Sequence, residues 1–296
     1  MNCDKHIIRY LMSRAVSEDE FNQYDGTSAP PLTLETHDKW LWVKEWKDKT
    51  VYEYPIYLDE ELKNRIEGYF TLIEKRPDLF ASLDGKYPIA ESRREMLLFE
   101  EEHKGKSDHN YKTGLIFDNS PFYYVVSDLI SGASPYTYSR VIYPEKVGGT
   151  VIVPLFIGDD GEGKFLLLEN MRHPTRQKSL EFPRGFQDKG LTEDENALKE
   201  LSEELSGKPG FKDSYVSKIT KLGEAFPDSG LTSSKVSFML AEMKKTITSV
   251  NTSEEGIKGF VTLSEKELSE KIKNGEIKDG LTQIAFLQYL IQRKEA

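Results

Sequence analysis

Apolar residues recur at Ala197, Leu198, Leu201 and Leu205, the three-to-four spacing of an amphipathic helix, and the pattern predicts a helix over 192–206. Thr192 followed three residues later by Glu195 is a capping-box pattern, Glu193 and Asp194 put negative charge in the first turn, and Gly207 supplies a stop. On a second face Glu200, Glu203 and Glu204 stand at i, i+3 and i+4. Like charges so spaced each cost roughly a few tenths of a kcal/mol, so they either face bulk solvent or are compensated by a cation. Magnesium suits such a cluster, because it takes oxygen ligands and is shared between one or two carboxylates and a substrate phosphate.

Upstream, Lys39 to Val43 and Thr50 to Tyr54 alternate apolar and polar residues and read as a strand pair. Trp40, Trp42 and Trp46, evenly spaced there, read as cross-strand packing before base-stacking groups. Helical patterns cover Asp4 to Arg14, Leu58 to Lys75 and Ser92 to His103, with a loop at 26–31. The polar run 104–110 reads as a linker, giving an N-terminal α+β domain over 1–108 and a second domain over 109–296. In that second part, Thr113 to Phe117, Phe122 to Ser127, Tyr136 to Ile142, Thr150 to Ile157, Lys164 to Glu169, Lys235 to Ala241 and Gly259 to Thr262 read as strands. The run 159–163 between two of them is a turn signal, and Ile284, Leu287, Leu290 and Ile291 share a face of a last helix over 282–293.

Composition narrows the function classes. An apolar fraction of 38% over 296 residues is enough for real cores, so the chain is read as folded. A formal charge of −10 argues against nucleic acid or acidic membranes as partners, and an anionic substrate would need metal and local arginines to approach. The one cysteine, Cys3, allows no internal disulfide, which suits a reducing, cytoplasmic setting. The apolar run at 6–16 is short and charged, so neither a membrane span nor a signal peptide is expected.

The segment Gly185 to Gly207 resembles the Nudix box, G, five residues, E, seven residues, R-E-U-x-E-E-x-G-U, with U a bulky aliphatic residue. Gly185 matches the first glycine and 199–204, KELSEE, the core. Leu191 stands where the first glutamate is expected, Lys199 replaces the arginine, and Ser206-Gly207 replaces the closing pair. The resemblance runs from about Lys112 onward and is to the ADP-ribose pyrophosphatase branch. It is carried by Met171-Arg172-His173-Pro174, by the E-x-P-x-G segment Glu181 to Gly185 and by the late G-x-I-x-D-x-x-T stretch Gly275 to Thr282, with Ser229 in place of a downstream proline.

The resemblance implies an α+β fold, a Nudix α/β/α sandwich around a mixed β-sheet, beside the smaller N-terminal domain. It implies hydrolysis of the pyrophosphate bond of a nucleoside diphosphate derivative, ADP-ribose or a nucleotide sugar, with Mg2+ or Mn2+, in a homodimer. By similarity Glu200, Glu204 and the carbonyl of Arg184 are metal ligands, and Glu203 is a third ligand or orients water. The general base is Glu254 or Glu255. Arg172 and Arg176 are the candidates to grip phosphates, Arg172 foremost, and Glu181 is a metal or substrate ligand. Because Leu191 departs from the box, the alternative is a degenerate Nudix module that senses such a nucleotide.

Overall fold

The computed structural model describes residues 15–24, 32–37, 40–47, 50–57, 60–81, 87–103, 111–145, 147–158, 161–205, 215–253 and 256–295. The expected helix Asp4 to Arg14, the loop 26–31, the linker 104–110, the pair Ser206-Gly207 and the candidate bases Glu254 and Glu255 lie outside the described residues, as do the side chains of Trp40, Trp42 and Trp46. The chain divides into two compact units, Met1–Ile142 and Tyr143–Ala296.

The first unit opens with α1 (Glu18–Asn22) and an antiparallel meander, β1 (Leu32–His37), β2 (Trp40–Lys47) and β3 (Thr50–Tyr57). Helices α2 (Glu60–Lys75) and α3 (Arg93–His103) follow, then a second antiparallel meander of β4 (Gly114–Asn119), β5 (Tyr123–Ile130) and β6 (Tyr136–Ile142). One apolar cluster joins the two sheets to α2 and α3. Leu32, Leu34 and Val43 from the first sheet meet Ile66, Tyr69 and Leu72 of α2, Met96, Leu97 and Phe99 of α3, and Val126, Leu129 and Ile142 of the second sheet. The expected boundary at 108/109 and the compact-unit boundary at 142/143 differ by β4, β5 and β6.

The second unit contains β7 (Val147–Ile157), β8 (Gly163–Arg172), β9 (Gln177–Glu181), β10 (Arg184–Phe186), α4 (Glu193–Leu205), β11 (Val216–Ala225), β12 (Lys235–Met243), β13 (Ile257–Ser264), α5 (Glu265–Lys273) and α6 (Gly280–Glu295). Its main sheet runs β11-β12-β7-β8-β13, with β12 and β7 parallel and the other pairs antiparallel, so the sheet is mixed. Alternation along each strand builds two cores. Ile152, Leu166, Leu168, Met239 and Ala241 pack on one face against Ala197, Leu201 and Leu205 of α4. Val151, Val153, Phe165, Leu167 and Phe238 pack on the other against Leu268 of α5 and Ala285, Phe286 and Tyr289 of α6. This is an α+β unit in which a mixed sheet carries helices on both faces. No helix among the described residues is long and apolar enough to cross a membrane.

The central strands do not stay paired. β7 and β8 are bonded only from Leu155–Phe165 to Ile157–Gly163; beyond that, β10 pairs with Gly149 to Val151 of β7 and β9 with Leu168 to Arg172 of β8. The sheet therefore splits at this end, and the joint between β9 and β10, residues 181–184, bridges the gap. The candidate site is built there.

Candidate active site

Helix α4 delivers the acidic residues. Thr192 and Glu195 form the expected capping contacts, the Thr192 N–H and hydroxyl each donating to Glu195 Oε2 at 2.9 Å, and the helix starts where that cap sets it. With Ala197, Leu201 and Leu205 committed to the core, Glu200 and Glu204 are carried to the sheet joint. Glu200 is buried and lies directly over Gly185: a Cβ there would sit 2.5 Å from Glu200 Oε1 and closer still to Oε2. Glu204 Oε2 accepts the Arg184 N–H at 3.1 Å.

The register of β10 explains that last bond. Ile152 N–H donates to Pro183 O and Gln187 N–H to Gly148 O, which puts Gly185 and Thr150 in the same bonded phase. In an antiparallel ladder the residue between two such pairs turns its N–H and C=O outward. Arg184 is that residue, so its carbonyl shares the side from which its N–H reaches Glu204. Gly149 completes the geometry, because a Cβ on it would fall 2.5 Å from Gly185 O; β7 and β10 approach too closely there for a side chain.

Burial raises the Glu204 carboxyl to about 8, with the neighbouring Glu200 charge adding to it and the Arg184 N–H opposing it. Burial likewise raises Glu200 to about 7; the nearby Lys199 charge opposes that shift and Glu203 adds to it. Glu203 itself is turned away. Its side chain is 48% exposed and is held by Lys199 Nζ at 2.8 Å, an ammonium that also lies 3.2 Å from Asp188 and 3.5 Å from Glu200. Burial lowers the Lys199 pKa, but these carboxylates more than offset that and hold it above its ordinary value. The lysine at the box arginine position thus neutralises the outer edge of the cluster.

Behind the joint lies a network that joins the three motifs around Arg172, Glu181 and Asp279. Glu181, 2% exposed, accepts from Arg172 through Nε, at 2.7 Å, and Nη2, and is ion-paired with Arg184, whose Nη2 lies 3.1 Å away. Arg184 Nη1 reaches Asp279 at 3.0 Å. Asp279 accepts from Thr282 N–H at 2.8 Å and from its hydroxyl at 2.7 Å, and the same hydroxyl accepts the Phe182 N–H at 3.0 Å. The G-x-I-x-D-x-x-T stretch is therefore a latch. Gly275 takes φ +73, Ile277 is buried, Asp279 immediately precedes α6, and Thr282 and Asp279 hold both flanks of the β9–β10 joint.

Arg176 is exposed, at φ +54 in the β8–β9 turn, its N–H bonded to Arg172 O; His173 is exposed in the same turn. The structure thus brings together Arg172, Glu181, Arg184, Glu200 and Glu204, and leaves Arg176 and Glu203 at the periphery. Leu191 is half-buried in the loop before α4, with its carbonyl bonded by Gln187 Nε2 at 2.8 Å. Glu193, the nearest acid to follow, lies 2.8 Å from Lys221 Nζ on β11.

One residue that secures the loop beside the site carries almost no mark in the sequence. Asn196 is fully buried on α4 and clamps the loop that follows β10: its Nδ2 donates to Phe186 O at 3.1 Å and its Oδ1 accepts Asp188 N–H at 3.0 Å. Its only signal is a polar residue beside the apolar stripe. Asn196→Ala strands both backbone groups and should lower unfolding free energy by about 2–3 kcal/mol, measurable by urea denaturation.

Among the described residues no group of three or more His, Cys, Asp and Glu side chains converges to hold a metal. Glu200, Glu204 and the outward carbonyl of Arg184 form a smaller donor set. It fits magnesium, which commonly takes one or two protein carboxylates and fills its shell with water and substrate phosphate. The arrangement suits that ion, since a buried and a half-buried acid side by side ionise only at a cost that a cation removes.

The same pair fixes a pH dependence. Both folded pKa values exceed that of an unfolded glutamate, so between about 4.5 and 8 the folded state binds more protons, and stability falls as pH rises through that window. Each unit of difference is worth about 1.4 kcal/mol. Without metal, the melting temperature should fall from pH 5 to pH 8 relative to Glu204→Gln, and Mg2+ should remove the difference. Parallel curves for the two proteins would show that Glu204 is not buried as a strained acid.

The chain matches no family model and no curated protein. Among solved structures it is similar to the crystal structure of an ADP compounds hydrolase at 17% sequence identity, over 60% of this chain and 90% of that one, with a TM-score of 0.45.

Proposed function

We propose that the second unit hydrolyses the pyrophosphate bond of a nucleoside diphosphate derivative, ADP-ribose or a nucleotide sugar, to two monophosphates. The observation that carries this reading is the placement of Glu200, buried against Gly185, and Glu204, half-buried on the Arg184 backbone, at the splayed end of a sheet. Glu200, Glu204 and the Arg184 carbonyl would hold Mg2+ or Mn2+, which when bound neutralises phosphate charge and acidifies a water. Arg172 is fixed by Glu181 through Nε and Nη2, and its remaining Nη1 edge is the group offered to a phosphate oxygen. Arg184, tied to Glu181 and Asp279, keeps its own backbone in place instead of reaching for substrate. Lys199 holds Glu203 at the edge of the cluster, where it orients water. Glu254 or Glu255 takes the proton from the attacking water on this reading, and a homodimer is the expected assembly.

A second reading has one specific observation behind it. Leu191 stands at the first glutamate of the box, and Glu193 is engaged by Lys221 and does not take its place. The unit would then bind a nucleotide sugar with little turnover. Product analysis separates the two: purified protein with Mg2+ is incubated with ADP-ribose, other nucleotide sugars, dinucleotides and triphosphates, with Glu204→Gln as control. Conversion of ADP-ribose to AMP, lost in the variant, supports hydrolysis; ADP-ribose binding without turnover supports the sensor.

A further inference from the structure

Helix α4 ends one residue after Glu204, and carbonyls in a last helical turn have no donors within the helix. No basic residue stands in that turn to offset the negative end of the helix dipole. The donors come from a distant loop. Asn251 N–H donates to Glu204 O at 2.8 Å, and Asn251 Nδ2 donates to Glu203 O at 2.9 Å. The amide is oriented from its other side, where Oδ1 accepts Ser253 N–H at 3.2 Å and the Ser253 hydroxyl.

The loop is anchored again at Gly256. Met171 N–H donates to Gly256 O at 2.9 Å, and at φ +94 a Cβ on Gly256 would run into Asn170 Oδ1. Asn170 is itself buried. The loop's two ends are thus fastened to the helix bearing Glu200 and Glu204 and to the strand bearing Arg172.

We propose that Asn251 is a positioning residue for the cation-binding carboxylates: by capping the Glu203 and Glu204 carbonyls it fixes the last turn of α4, and with it the Glu204 side chain. The inference rests on the reading that Glu200 and Glu204 hold the cation. Helix ends fray by a turn when uncapped, whereas a metal ligand must be held within about 0.5 Å of its working position. Residues that orient ligands without touching the metal change metal affinity by about 10–100-fold. None of the box positions contains this requirement, since the cap arrives from a residue 48 positions away.

The test is Mn2+ binding to the full-length, substrate-free protein, followed by electron paramagnetic resonance well below each variant's melting temperature. Asn251→Ala should weaken Mn2+ about tenfold, and Asn251→Ser, which keeps a hydroxyl donor, less. Ser253→Ala retains both Asn251 donors to the helix and should bind close to wild type. In turnover, raised Mg2+ should restore Asn251→Ala but not Glu204→Gln. Wild-type Mn2+ affinity in Asn251→Ala, with binding lost in Glu204→Gln, overturns the positioning role while the cation site stands. Failure of the wild-type protein to bind Mn2+, or unchanged binding in Glu204→Gln, overturns the cation site and the inference together. Should Asn251→Ala not fold, Asn251→Ser carries the comparison, and wild-type affinity there counts against the role.

Discussion

Glu204→Gln should lower kcat by about three orders of magnitude while leaving the protein folded and, without metal at pH 8, more stable than the wild type. Glutamine is nearly the same size and its side-chain oxygen still accepts the Arg184 N–H, so the 3.1 Å bond that seats the side chain survives. What is lost is charge. In the wild type that carboxylate is half-buried beside Glu200, and desolvation together with the Glu200 charge pushes it up to about 8. Removing it relieves the resting protein of a repulsion and, on the proposed reading, takes from the cation one of the two carboxylates that would hold it. Three orders of magnitude corresponds to about 4 kcal/mol of transition-state stabilisation. The opposite signs of the two effects make the prediction sharp. Calorimetry and single-turnover kinetics on one preparation decide it; activity within tenfold of the wild type would remove Glu204 from the site.

Gly185→Ala should cost about 100-fold in kcat/KM. The added methyl would occupy the space of the Glu200 carboxylate, so one of the two must move. The strand cannot yield easily, because β7 and β10 lie so close that even a Cβ on Gly149 would meet the Gly185 carbonyl, and their register is set on both sides by Pro183 and Gln187. The carboxylate therefore swings aside, and a displacement of about 1 Å at a reacting centre is enough for a loss of that size. Gly190→Ala is the control. Gly190 has φ +86 and open space around it, so alanine there strains the backbone by about 1 kcal/mol and leaves the carboxylates where they are. Equal losses of activity in the two variants would mean that Gly185 matters only for backbone freedom.

The elements that repeat a local period are legible in the chain. The box helix, its Thr192–Glu195 cap, the last helix and the apolar strands β7, β8 and β12 all show in their spacing, and their observed limits fall within a few residues of those expected. β9 and β10 do not show, because three to five residues around Pro183 contain no complete alternation. β11 also escapes, since Lys218, Lys221 and Glu224 interrupt its apolar positions and two bulges shift its register. The site divides in the same way. Carboxylate spacing on one helix face points to Glu200 and Glu204, but it cannot tell that Glu203 is claimed by Lys199, since that depends on which face meets the sheet. Asn196 and Asn251 depend on partners brought together only by folding and nothing in their neighbouring residues marks them, whereas Asp279 stands in a recognisable stretch whose hold on Arg184 only the fold discloses.

The latch at Asp279 and Thr282 also dictates an order in time. Its hydrogen bonds join residues 95 and 100 positions apart, and they secure Arg184, whose amide in turn seats Glu204. During synthesis the strands and the carboxylate helix emerge first and can collapse on one another, yet the joint between β9 and β10 stays unfastened until residues 279–282 have left the ribosome. A nascent chain halted before that point would have its glutamates in sequence but not in position. Competence for chemistry would then come as a late, single event and not in proportion to the length already made.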